Sequence, residues 1–119
     1  MAKPNISIQQ ESPIKIACNK PFDINISGTV YNPGEVTVCL ELSDSLPCSF
    51  LDFDGNQTHK ICKTVEVLNS KGSFPIDFNN MVIDCKSKDY YTTIIEVSAI
   101  DSANEESWSK SIILQIDCH

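Results

Sequence analysis

Six cysteines are the residues of this 119-residue sequence with the greatest capacity for chemistry. They are Cys18, Cys39, Cys48, Cys62, Cys85 and Cys118. Their number is even, and none of them forms the C-x-x-C pair that is typical of a zinc ribbon or a redox motif. Thiols in this pattern form disulfides in an oxidising compartment. We therefore predict a disulfide-bonded, secreted or cell-surface protein.

Metal binding is the alternative chemistry for these thiols. Cys48, His59 and Cys62 could supply three zinc ligands, with a fourth from Cys39 or elsewhere. One histidine among scattered thiols is common without a metal, so we predict no metal site. The segment "DFDGN" (52–56) lacks the later oxygen ligands of a calcium loop. This segment and the acidic "DSANEE" (101–106) are interpreted as solvated turns.

Catalysis has little support in the sequence. His59 lies in an irregular segment without a nucleophile at a recognised spacing, and His119 is the last residue. No nucleophile elbow, glycine-rich phosphate loop or His-Glu zinc helix is present. We predict no catalytic residue, no cofactor and no enzymatic activity.

Size and charge limit the partners. The length is typical of one domain, predicted over 1–119. With 9 basic and 16 acidic residues, the net charge of -7 would repel nucleic acid and anionic lipid surfaces. No apolar run approaches the roughly 18 residues of a membrane span. Protein partners remain, and the oligomeric state stays open.

Three glycosylation sequons fit an extracellular setting. They begin at Asn5, Asn25 and Asn56, each without proline at the second position. The first residues, "MAKPNISIQQ", contain no apolar signal segment. Either a signal peptide has been removed, or the protein is cytosolic with reduced thiols. We predict the secreted or extracellular location.

Apolar residues alternate with polar ones along most of the chain, which is typical of β-strands. In "EVTVCLELS" (35–43), the apolar face is complete without Cys39, so its thiol faces outward. Seven or eight such strands, separated by turn signals, predict an all-β, antiparallel sandwich. A closed barrel is the alternative.

The segment 44–60 is irregular and contains three large apolar residues, Phe50, Leu51 and Phe53. They either form a lid over the edge of the core or an exposed patch that binds a partner. The lid is the favoured interpretation, since loop aromatics usually complete a core. Tyr90 is a further partner-binding candidate, because the neighbouring Tyr91 is in phase with the core.

Two longer segments carry a resemblance to a known group of domains. "ISGTVYNPGEVTVCLELS" and "YYTTIIEVSAIDSANEESWSKSIILQI" resemble the strand patterns of extracellular immunoglobulin-like modules of the fibronectin type III and PKD kind. The resemblance implies an immunoglobulin-like sandwich at a cell surface. In antibody domains a tryptophan lies between the paired cysteines in sequence. Here the single tryptophan, Trp108, opens the last strand instead. No binding residue is carried over.

This resemblance also suggests one disulfide pair, and the positions of the other cysteines suggest two more. In such a sandwich the first and last strands can run side by side and parallel, which would bring Cys18 to Cys118. Cys48 and Cys62 bracket the irregular segment and form the second predicted pair. Cys39 is then left with Cys85, and Cys62 is its second choice. Other connectivities stay open.

The function we expect is protein–protein binding by a secreted or cell-surface module, in adhesion, in an ectodomain or in an assembly. One alternative is a small secreted sandwich that carries a lipid or another apolar ligand, with the segment from Phe50 to Phe53 at its mouth. Another is a cytosolic immunoglobulin-like scaffold with reduced cysteines.

Overall fold

The fold is all-β, as the alternating pattern predicts. The computed structural model describes residues 5–8, 12–29, 34–43, 46–52, 54–68, 73–101 and 106–119. These ranges contain ten strands and no helix, and therefore no helix that could cross a membrane. The strands are β1 (Asn5–Ile8), β2 (Ile14–Ala17), β3 (Phe22–Thr29), β4 (Gly34–Leu42), β5 (Cys48–Leu51), β6 (Gln57–Thr58), β7 (Lys60–Val67), β8 (Ser73–Cys85), β9 (Tyr90–Asp101) and β10 (Glu106–Asp117).

The strands form two five-stranded sheets. The order in the first sheet is β1-β3-β8-β5-β6, and in the second it is β2-β10-β9-β4-β7. The second sheet is curled into a half-barrel. Every pairing is antiparallel except that of β2 with β10, where Ile14 lies opposite Leu114 and Ile16 opposite Ile116. The second strand and the last strand therefore lie side by side in the second sheet.

One hydrophobic core lies between the buried faces of the two sheets. Alternate residues of each strand point into it, because successive side chains of a strand face opposite sides. In β4 the predicted apolar face is confirmed, with Val36, Val38, Leu40 and Leu42 all buried. Facing side chains from the first sheet include Ile24, Ile26, Phe50, Ile76, Phe78 and Ile83.

The predicted count of seven or eight strands is lower than the ten strands of the structure because β5 and β6 were not predicted. β5 and β6 fall within 44–60, a segment that was predicted to be irregular. β5 shows no alternation, because Cys48, Ser49 and Phe50 are all buried. The extended segment predicted from "FPIDF" to "NNMVIDC" is the single long strand β8, which bulges at Asn79 and Asn80 between its pairings with β3. The bulge is held by a bond from the Asn80 amide to the Asp23 carboxylate, 2.9 Å long.

The long strand β8 has an open edge along its first two thirds. One side of Ser73–Met81 pairs with β3, and β5 covers the other side only from Val82 to Cys85. No strand in the described ranges pairs with the rest of that edge. The Lys63 ammonium, which reaches across from β7, donates to the Asp77 carbonyl there. Pro75 lies two residues earlier on the same side, where it has no N–H to offer.

Both features protect the open edge against pairing with another strand, since edge prolines and inward lysines are common protective devices. β7 is itself the edge strand of the second sheet, as the interruption of its apolar face by Lys63 predicts. We call the gap between these two edges the open seam.

Candidate functional site

Three disulfides join all six cysteines. The predicted pair Cys18–Cys118 is confirmed, with 5.0 Å between the Cα atoms. It forms because β2 runs parallel to β10 and both strands end at the same point. The Cys18 amide also donates to the Asp117 carbonyl, 3.0 Å away. This disulfide therefore closes the end of the second sheet.

The other two predicted pairs, Cys48–Cys62 and Cys39–Cys85, are wrong. The register of β4 and β7 places Cys39 directly opposite Cys62, and the register of β5 and β8 places Cys48 opposite Cys85. Each observed disulfide joins such a facing pair, with 4.0 Å between the Cα atoms in both. Cys62, the second choice for Cys39, is the observed partner. The predicted pairs would have linked different sheets.

The same pairing separates the cysteines of the hypothetical zinc site. Cys48 belongs to the first sheet and Cys62 to the second, and each is bonded to another cysteine. Three other sulfurs, those of Cys18, Cys85 and Cys118, lie within 4.8 Å of one another. They belong to two adjacent disulfides, so in the oxidised chain none of them is a thiolate that could bind a metal.

The acidic segment after β5 is a closed turn. One carboxylate oxygen of Asp52 accepts bonds from the amides of Asp54 and Asn56, 2.9 and 2.8 Å long. Gly55 adopts φ +80° between them, as the turn interpretation predicts. In the second acidic segment, Asp101 is buried, while 102–105 lie outside the described residues.

The four predicted partner-binding residues are not one surface. Phe50 is fully buried in the core, so it cannot contact a partner, and the lid interpretation holds for it. Leu51 is half-buried, and Phe53 lies outside the described residues. Tyr90 is 65% exposed and stacks on the His119 ring, with 5.3 Å between the ring centres. Of the three predicted residues that the structure describes, Tyr90 alone is clearly exposed.

Among the described residues, most of the exposed large apolar side chains lie elsewhere, on the outer face of β9 and β10. Ile94, Ile100 and Ile113 point away from the core and are 50%, 51% and 46% exposed. Ile94 and Ile113 lie directly opposite each other in the two strands. We call these three residues the isoleucine face. Sequence reasoning missed them because it assigned one apolar phase per strand, although the doublets Ile94-Ile95 and Ile112-Ile113 place an apolar residue on each side.

Hydroxyl groups and a few charges surround the isoleucine face. The outward positions of β10 from Ser107 to Gln115 carry no charge, and the hydroxyl-rich positions of β9 include one acidic residue, Glu96. The neighbouring strands contribute the paired Thr37 and Thr64 hydroxyls, 2.8 Å apart. The outward charges of the neighbouring strands are Glu35 and Glu41 of β4 and Lys15 of β2, and Glu41 lies opposite Glu96.

A cleft opens at the open seam between the two sheets. Its volume is about 330 Å³, and its apolar walls come from β5, β7 and β8. The apolar lining residues are Leu51, Ile61, Phe78, Met81 and Val82. Lys63 extends along one wall, and its ammonium lies 5.5 Å from the centre of the Phe78 ring.

No protein-family model matches this sequence, and a comparison with curated proteins finds none with significant similarity.

Proposed function

We propose that this chain is a secreted or cell-surface immunoglobulin-like module that binds another protein through the outer face of β9 and β10. The observation that carries the proposal is the isoleucine face. Of the five exposed large apolar side chains in the described ranges, four belong to these two strands, namely the three isoleucines and Tyr90. Ile94 and Ile113 are direct neighbours, whereas Ile100 lies six residues from Ile94 along β9, about 20 Å away. Exposed apolar side chains gathered on one face of a small domain are typical of an interaction site.

The arrangement of the surface favours a protein as the partner. Ile94 and Ile113 are side by side, so a partner would desolvate both together, as at the centre of protein interfaces. Hydroxyl-bearing residues surround them, and Glu96 is the charged group next to Ile94 on the same strand. β-branched residues on a sheet also lose little side-chain freedom on binding.

Two features support the immunoglobulin-like architecture. The chain begins with two short strands that join different sheets, β1 in the first and β2 in the second. The second of them runs parallel to the last strand, β10, as first and last strands can do in immunoglobulin-like sandwiches. The short hairpin of β5 and β6 is an addition to that pattern.

The disulfides support an oxidising compartment. Cys62 is exposed and five of the six cysteines are at least partly accessible, so a reducing cytosol would reach them. Mass measurement after alkylation without reduction tests the compartment in the native protein. Six alkylated thiols would contradict the extracellular proposal and favour the cytosolic alternative.

The binding surface can be tested with Ile94→Ser/Ile113→Ser. Both side chains point outward, so we expect the free energy of unfolding to change by less than about 1 kcal/mol. Binding of a protein captured by the wild-type chain should weaken by about 100-fold or more, because two central apolar contacts are lost. Cross-linking followed by mass spectrometry identifies the captured protein, and surface plasmon resonance measures its affinity.

A matched control on the outer face of the first sheet is Asp77→Asn, which should bind as the wild type does. Sedimentation velocity shows whether the captured partner is a second copy of the chain. Equal affinity of the double-serine variant and the wild type would contradict the proposed surface.

Glycosylation gives an independent test of the extracellular proposal. Asn56 is exposed in the turn that follows β5, whereas Asn25 is half-buried between Ile24 and Ile26. On passage through a eukaryotic secretory pathway, we expect a glycan at Asn56, because its side chain is accessible. Intact mass before and after enzymatic deglycosylation, with Asn56→Gln as the control, measures occupancy. An unmodified Asn56 in the secreted chain would contradict this prediction.

A further inference from the structure

The cleft at the open seam has the properties of a small ligand site. Its volume of about 330 Å³ is at the lower end of the range for ligand pockets, which is roughly 300–1,000 Å³. It is concave and mostly apolar, and the Phe78 ring at its wall is itself fully buried. It opens where β8 has no neighbouring strand, so a ligand can enter without any change in the sheets.

One cation is placed at this apolar cleft. Lys63 occupies an inward position of β7, in phase with Ile61 and Val65, yet its side chain is exposed through the open seam. Its ammonium donates to one carbonyl, that of Asp77, and lies over the Phe78 ring. An ammonium has three donors, so two are left for a ligand. Within the described residues, Lys63 forms no ion pair.

One carboxylate, that of Asp52, also lines the cleft. One of its oxygens accepts the amides of Asp54 and Asn56 within its own turn, and in the part of the chain that the structure describes no ion pair joins it to Lys63. The cleft thus combines an apolar volume with an accessible positive group at its wall. That combination is complementary to an amphiphile with a negative head.

We propose that the open seam binds a small amphiphile with a carboxylate head group, a medium-chain fatty acid in the simplest case. The carboxylate pairs with the Lys63 ammonium, and the hydrocarbon chain lies against Leu51, Met81 and Val82. The volume limits the ligand to a short or medium chain. This site lies between the sheets and shares no residue with the isoleucine face, so either proposal can fail without the other.

A peptide strand fits the same seam less well. Strand addition needs free backbone donors and acceptors along the edge of β8. Pro75 removes one donor from that edge, and Lys63 already occupies the carbonyl of Asp77. The seam therefore favours a ligand that binds through side chains.

Titration of the full chain with octanoate, followed by amide chemical shifts in NMR, tests the proposal. We expect saturable shifts confined to β5, β7 and the middle of β8. Octanol, which has no charge, should bind about tenfold more weakly, and octylamine should not compete. The net charge of -7 would by itself favour the amine, so a preference for the carboxylate reports the local cation.

Matched variants separate the role of the charge from that of the fold. Lys63→Met should weaken octanoate binding by about tenfold, and Lys63→Arg, which keeps the cation, should retain it. Lys60→Met removes the same charge from the outer face of the same strand and should bind as the wild type does. Leu51→Trp fills the cleft and should reduce the binding of octanoate and octanol alike. Absence of saturable shifts, shifts outside the cleft, or equal affinity of Lys63→Met and the wild type would overturn the proposal.

Discussion

The variant Cys18→Ala/Cys118→Ala is expected to lose about 4.7 kcal/mol of unfolding free energy, the largest loss from any of the three disulfides. These cysteines are 100 residues apart in sequence, so their bond closes nearly the whole chain into one loop. In the chain-entropy model, a crosslink stabilises by restricting the unfolded state, and the effect grows with the logarithm of loop length. Urea unfolding monitored by circular dichroism measures the difference.

The other two disulfides are the natural controls. Cys48 and Cys85 are separated by 37 residues, and Cys39 and Cys62 by 23. The same model gives losses of about 3.9 and about 3.4 kcal/mol for their double-alanine variants. The native structure favours the same order. Both of these cysteine pairs also face each other across paired strands, and the strand pairing remains when the disulfide is removed. A larger loss for Cys39 and Cys62 than for Cys18 and Cys118 would contradict the order.

The sequence predicts those parts of the fold that depend on local alternation. The buried faces of β4 and β9 follow from a period of two residues, and so does the outward position of Cys39. The partner of Cys39 does not follow, because alternation says which way a side chain points and nothing about which strand lies beside it. The parallel pairing of β2 and β10 was predictable only through the resemblance to immunoglobulin-like modules.

The candidate sites show the same limit. Phe50 looks like part of a loop because β5 is buried on both sides and therefore lacks alternation. The isoleucine face was missed because each strand was assigned a single apolar face. The cleft exists because β5 covers only the last part of β8. This is a property of how strands pair in space, so no single stretch of the sequence predicts it. Lys63 is the one residue of the cleft that the sequence pointed to, because a charged residue on the apolar face of a strand indicates an edge strand.

The buried aromatic at position 50 gives the second large effect. Phe50→Ala is expected to lower the free energy of unfolding by about 3–5 kcal/mol, because Phe50 is fully buried and its removal leaves a cavity in the core. The strand that carries it also pairs with β6 and β8, so the cavity has little freedom to collapse. Urea unfolding of the oxidised variant measures the loss.

Tyr90→Ala is the matched comparison, since the sequence suggests both aromatics as partner-binding residues. Tyr90 is 65% exposed, so its removal should change the free energy of unfolding by no more than about 0.5 kcal/mol. Because Tyr90 adjoins the outer face of β9, the same variant should weaken binding of the captured partner while the fold stays intact. Phe50→Ala should act in the opposite way, with a large loss of stability and unchanged affinity of the fraction that remains folded. A stability loss below about 1 kcal/mol for Phe50→Ala would contradict its place in the core and restore it as a surface residue.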